Sequence, residues 1–138
     1  MGRTGRQERG DRAEAAASSY LEACGWTVLA RQLVVGRDEI DVLAREPGSP
    51  PVIVVVEVRS RSGPEFGQQE DRVDAAKVRR LYRAMAALRA AARLPDGMAL
   101  PGGAWRVDLV AVDLAPRAAN DGGGDVLAIR HLRGLIPR

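Results

Sequence analysis

The run VIVVVEVRSR, residues 52 to 61, is the most restrictive feature of this 138-residue chain. Alternate residues of a strand share a face, so Ile53, Val55, Glu57 and Arg59 point one way and Val54, Val56 and Val58 the other. Both faces are apolar up to Glu57, which predicts a central strand covered on both sides. An ionised carboxylate at the end of such a strand is costly unless it is paired. Glu57 therefore needs a cation, either a basic side chain or a metal ion.

The preceding strand, DEIDVLA (38–44), carries Glu39 and Asp41 on one face. The hinge EPGSPP (46–51) joins it to the central strand as an antiparallel hairpin, with paired residue numbers summing to about 97. A register one residue away sets Asp41 opposite Glu57 and Glu39 opposite Arg59. Two carboxylates that close repel strongly unless a cation lies between them. Oxygen-rich groups of this kind suit Mg²⁺ or Mn²⁺ rather than zinc. The plainer alternative pairs Arg59 with Glu39 across the hairpin and lets Asp41 bond backbone groups at the strand end.

The rest of the chain supplies a frame for these strands. Residues 1–10 are polar and Gly/Arg-rich, which predicts a flexible arm ahead of a single domain over 11–138. From Asp11 to Cys24, Ala13, Ala16, Ala17, Tyr20 and Leu21 recur at helical spacing, and Gly25 is a natural stop. WTVLARQLV reads as a strand before the Gly36 turn, and SGPEFGQQ (62–69) as a loop. A second helix is predicted from Asp74 to Arg93, with Asp74 as its N-cap and Val78, Leu81, Met85, Leu88 and Ala92 as its buried stripe. WRVDLVAVDL and VLAIRHL complete the order α-β-β-β-α-β-β. That order predicts an α/β fold, a central mixed β-sheet of about five strands flanked by helices.

Composition narrows the setting. Nothing approaches the roughly 20 apolar residues of a membrane span, and the charged N-terminus does not read as a signal peptide. Cys24 is the only cysteine, as expected of a cytoplasmic protein. A net charge of +3 permits contact with a polyanion without demanding it. Lys77 is the only lysine, and the wealth of Arg, Ala, Gly and Val has the look of a GC-rich genome. Individual arginines are weaker clues for that reason.

Several stretches together resemble the YraN-like family of small uncharacterised bacterial proteins. They are Glu14 with its Ala-rich helix, Asp38-Glu39-Ile40-Asp41, Val56-Glu57-Val58-Arg59-Ser60-Arg61, Phe66-Gly67, Lys77 and Arg106-Val107-Asp108, spread between Gly10 and Leu135. That family resembles the restriction-endonuclease-like superfamily, written PD-(D/E)XK, which includes archaeal Holliday-junction resolvases. The resemblance implies a restriction-endonuclease-like fold and Mg²⁺- or Mn²⁺-dependent cleavage of nucleic acid, with DNA repair or recombination as the setting. It implies that Asp41 and Glu57 are the motif's two acids and metal ligands, joined by Glu14 from the first helix. Arg59 occupies the position of the motif lysine. Arginine stays protonated and cannot act as a general base, but its fork of donors can brace a phosphate.

The remaining candidates each have a plainer reading. Arg61 and Phe66 would shape a loop facing nucleic acid, or Phe66 would close that loop as a core residue. Lys77 either reaches the site in place of the missing lysine, or contacts nucleic acid, or lies on the surface. Arg79, Arg80, Arg83, Arg89 and Arg93 either track a phosphate backbone or form the wet side of a helix. Asp108 marks either a functional position or a structural bond, and His131 and Cys24 read as structural. The expected partner is nucleic acid, DNA before RNA, with no membrane contact, and a homodimer is one form open to the protein. The rival expectation is a non-catalytic nucleic-acid- or protein-binding module on the same fold.

Overall fold

The computed structural model of the protein describes residues 5–62, 73–115 and 125–137. Helix α1 (Gly5–Ala23) is followed by strands β1 (Thr27–Val35), β2 (Asp38–Glu46) and β3 (Val52–Ser62), helix α2 (Ala75–Ala91), and strands β4 (Trp105–Leu114) and β5 (Val126–Leu132). The element order is the one the sequence predicts. Helix α1 begins at Gly5 rather than Asp11, so the segment read as an arm is helical from that residue.

The strands form one sheet in the order β1-β2-β3-β4-β5. All neighbours are antiparallel except β3 and β4, which run parallel because α2 carries the chain across between them. The central strand is as buried as its composition predicts: Ile53, Val54, Val55 and Val56 are at most 1% exposed. Ile53 and Val55 pack with Leu81, Met85 and Leu88 of α2, while Val54 and Val56 pack with Ala13, Ala17 and Leu21 of α1. Each of the larger buried side chains contributes roughly 1.5–3 kcal/mol. Helix α1 needs little bulk to do this, since its small alanines let it lie close against the sheet.

Asp74 caps α2 by accepting a hydrogen bond from Lys77 N–H at 2.8 Å. At the other end Ala92 adopts the left-handed conformation (φ 56°), and its N–H bonds Leu88 C=O. Ala92 is thus an exposed cap and not the last residue of the buried stripe. The helix ends before the Pro95-Asp96-Gly97 turn, because the left-handed cap already diverts the chain.

Two details of the ladder place the site. In the hairpin, Val42 pairs with Val56, so Asp41 and Glu57 are the next residues along each strand and stand side by side. The register is therefore the neighbouring one of the two considered. In addition, face alternation breaks once in β2. Ile40 and Leu43 both join the α2-side core, with Val42 in the α1-side core between them. The β1–β2 ladder steps from Arg31–Val42 to Leu33–Ile40 and passes over Gln32 and Asp41. Gln32 holds φ 50°, a left-handed conformation costly for a side chain with a Cβ. Asp41 is freed from the alternation at this irregularity and turns toward β3.

Candidate functional site

Asp41 Oδ2 accepts a hydrogen bond from Val58 N–H at 2.8 Å, which ties the end of β2 to β3. This is the plainer backbone role foreseen for Asp41, and it also fixes the carboxylate beside Glu57. Glu57 lies on the α2 side of β3 and is 6% exposed. Among the described residues its Oε1 has no hydrogen-bond partner, and the nearest cation is Lys77 Nζ at 3.7 Å. Burial first, and then the charge of Asp41, push the Glu57 carboxyl up to about 8, against the weaker pull of Lys77 and Arg59. A carboxylate buried against another, with an oxygen left unsatisfied, is the donor chemistry that a hard divalent cation would relieve.

Glu14 approaches from the opposite side. It projects from α1 and is 6% exposed. Arg31 Nε donates to Glu14 Oε1 at 3.3 Å. Burial and the charge of Asp41 raise the Glu14 pKa, with Arg31 opposing. Asp41 thus stands between two acids on different faces of the sheet. Glu14, Asp41, Val58 and Ser60 line a cleft of about 250 Å³ together with Gln7, Gly10, Asp11 and Ala13. Glu57 is not part of that lining. Among the described residues, no three of His, Cys, Asp and Glu converge closely enough to enclose a metal ion. The sequence-predicted trio is therefore a tight pair with a third acid one step away.

The other candidates fall as follows. Arg59 is exposed, and among the described residues it forms no ion pair, so the Glu39–Arg59 bridge of the plainer reading is not made. Glu39 is exposed, and its backbone stands opposite Val34 in the β1–β2 ladder. The Arg61 side chain is only 12% exposed and lies 3.5 Å from Asp113, which also binds Arg130 through two hydrogen bonds. Arg61 is therefore turned into the fold more than toward solvent. Phe66, and Gly67 with it, lie outside the described residues. Among the helix arginines, Arg83 makes a two-pronged bond to Asp38 at 2.6 and 2.8 Å, while Arg79, Arg80 and Arg89 are exposed.

Asp108 is fully buried and belongs to a separate network. It accepts two bonds from Arg106 (2.7 and 2.9 Å), one from Gly134 N–H (3.0 Å), and contacts His131 Nε2 at 2.8 Å. His131 Nδ1 meets the Tyr20 hydroxyl at 2.9 Å, so the network bolts α1 to the β5 edge. Burial alone would raise Asp108, but His131, Arg106 and Gly134 outweigh it and hold the carboxyl down at about 2. The structural reading of Asp108 and His131 is the one their partners support.

Sequence reasoning missed Arg31 and Ser60. Arg31 was one arginine among many, and no spacing argument links it to Glu14 until α1 is laid on the sheet.

Comparison with known proteins gives the lineage. Residues 13–112 match the profile of "Uncharacterised protein family UPF0102", the YraN family that the sequence motifs suggest. A UPF0102 protein of Roseiflexus castenholzii is 38% identical over 116 residues, covering 83% of this chain and 87% of its own length. One from an Arthrobacter species is 32% identical over 126 residues, covering 91% and 93%. A third, from Sorangium cellulosum, is 43% identical over 79 residues, which is 57% of this chain and 53% of the relative. The matched segment contains Glu14, Asp41, Glu57 and Lys77, so both core layers and the acidic pair lie within it.

Proposed function

The chain belongs to the uncharacterised protein family UPF0102, and we propose that it is a metal-dependent nuclease that hydrolyses phosphodiester bonds in nucleic acid, most simply DNA. The observation that carries this reading is the Asp41–Glu57 pair: two acids from neighbouring strands just past the last β2–β3 ladder pair, Val42–Val56, one with an oxygen lacking a hydrogen-bond donor among the described residues. Asp41 and Glu57 would hold Mg²⁺ or Mn²⁺, with Glu14 supporting from α1. Bound there, a divalent cation acidifies water and offsets charge on the scissile phosphate.

The protein's own groups divide the remaining work. The Val58 N–H holds Asp41 in place, so the pair is set by backbone and not by a mobile loop. Arg31 neutralises Glu14 until a competing cation arrives. Arg59, exposed and two residues beyond Glu57 on the same face, is available to brace a phosphate oxygen. In hydrolysis a water oxygen bonds to phosphorus, the bond to the leaving oxygen breaks, and that oxygen takes up a proton.

A non-catalytic binding module on the same frame is the second reading. It is favoured by the absence, among the described residues, of three converged acids. Cleavage assays on single-stranded, duplex and junction DNA and on RNA, with Mg²⁺ or Mn²⁺, decide between the two. The nuclease reading expects metal-dependent cleavage of at least one substrate and its loss in Asp41→Ala. Cleavage retained in Asp41→Ala removes the reading, and binding without cleavage of any substrate favours the module.

A further inference from the structure

We propose that Lys77, and not Arg59, supplies the resident positive charge of the carboxylate site, reaching it from the first turn of α2. The inference rests on the nuclease reading for its catalytic part but not for the charge assignment itself. Three observations carry it. Lys77 Nζ lies 3.7 Å from Glu57 Oε1, the buried oxygen that no donor among the described residues satisfies. The lysine is 28% exposed at its side chain, so it is tucked against the sheet and not extended into solvent. Its backbone is fixed, since the N–H is the one that Asp74 caps. Arg59 shares the strand face but stays exposed and makes no ion pair among the described residues.

The consequence is a division of labour. The lysine ammonium is a compact charge with three donors on a flexible stem, whereas a guanidinium is a rigid planar fork. At 3.7 Å the ammonium stands just beyond hydrogen-bonding distance of Glu57. It partly balances the acidic pair while no divalent cation is present. When such a cation takes over that balance, the ammonium is repelled from it and becomes free to meet a phosphate oxygen. Arg59 then holds the substrate from the solvent side. The strand position vacated by lysine in this sequence is thus served from a helix.

The test uses the full chain with Lys77→Met, Lys77→Arg and Arg59→Ala, with Mn²⁺ titrated by calorimetry and cleavage followed in single turnover. Lys77→Met is expected to bind Mn²⁺ several-fold more tightly, because a competing charge is gone. It should at the same time cleave about 100-fold more slowly or worse, the usual loss for one donor to a developing oxyanion. Lys77→Arg keeps the charge and should restore Mn²⁺ affinity toward the parent value, and Arg59→Ala should tighten Mn²⁺ less than Lys77→Met does. Tighter metal with slower cleavage is a combination that a merely structural lysine does not produce. The proposal is overturned if Lys77→Met leaves Mn²⁺ affinity unchanged, or weakens it together with the rate. If the parent cleaves nothing while Lys77→Met still tightens Mn²⁺, the charge assignment stands and the nuclease reading falls. If neither protein binds Mn²⁺, both fall.

Discussion

At the scale of single residues, the site is a conflict that the fold maintains. Asp41 and Glu57 are brought together by register and by a backbone hydrogen bond, although burial disfavours the charge of Glu57. The sign of the resulting pH dependence follows from Glu57. Its ordinary value of 4.5 rises to about 8 in the fold, so the stability it permits is complete below the ordinary value and is lost as pH rises through about 8. With chelator present, denaturant melts should show this loss, and Glu57→Gln should flatten it. A melt series in which Glu57→Gln keeps the full slope would refute the assignment. Asp108 behaves oppositely: held at about 2 against an ordinary 3.8, it contributes stability above that range that is lost as pH falls through about 2. Removing it as Asp108→Ala leaves Arg106 and His131 facing a buried gap and should cost about 3–5 kcal/mol in a denaturant melt. A cost within the range of surface substitutions would contradict the bolt it forms.

At the scale of elements, the buried strand β3 and helix α2 were legible in the sequence because each has one dominant period. The unbroken apolar run Val52-Ile53-Val54-Val55-Val56 marks a strand covered on both faces, and the Val78-Leu81-Met85-Leu88 spacing marks one buried helical face. Asp74 was legible as a cap for a similar reason, its type and place agreeing. Asp74→Ala should cost about 1 kcal/mol in a thermal melt, and should also loosen Lys77, whose N–H it holds. What was not legible depends on two elements meeting. The burial of Glu14 and its bond to Arg31 need α1 seated on β1. The turn of Asp41 needs the break in alternation shared with Gln32. The hairpin register was open by one residue, because the unbroken apolar run 52–56 of β3 leaves no polar-apolar alternation to set it.

At the scale of the whole molecule, a single sheet lies between two helices, and α1 and α2 each present a charged group to the Asp41–Glu57 pair, Glu14 from one and Lys77 from the other. The α-β-β-β-α-β-β order follows from the sequence alone, whereas the convergence from two faces does not. Among the described residues, no helix is long and apolar enough to cross a membrane. The net charge of +3 is modest, so on the proposed nuclease reading nucleic acid affinity should depend on a few arginine contacts. Raising salt from 50 to 200 mM is expected to weaken binding by about tenfold or more, the loss that counterion release gives for a handful of phosphate contacts. Fluorescence anisotropy on a labelled oligonucleotide would check this, and salt-insensitive binding would point away from the backbone as the ligand.

The most direct measurement is calorimetric titration of Mn²⁺ into the purified chain and into Glu57→Ala. The account predicts saturable binding by the parent, with ion stabilisation of the fold to match, and no binding by the variant. An isotherm that survives Glu57→Ala, or a flat trace from the parent at millimolar Mn²⁺, would contradict a cation site built on Asp41 and Glu57.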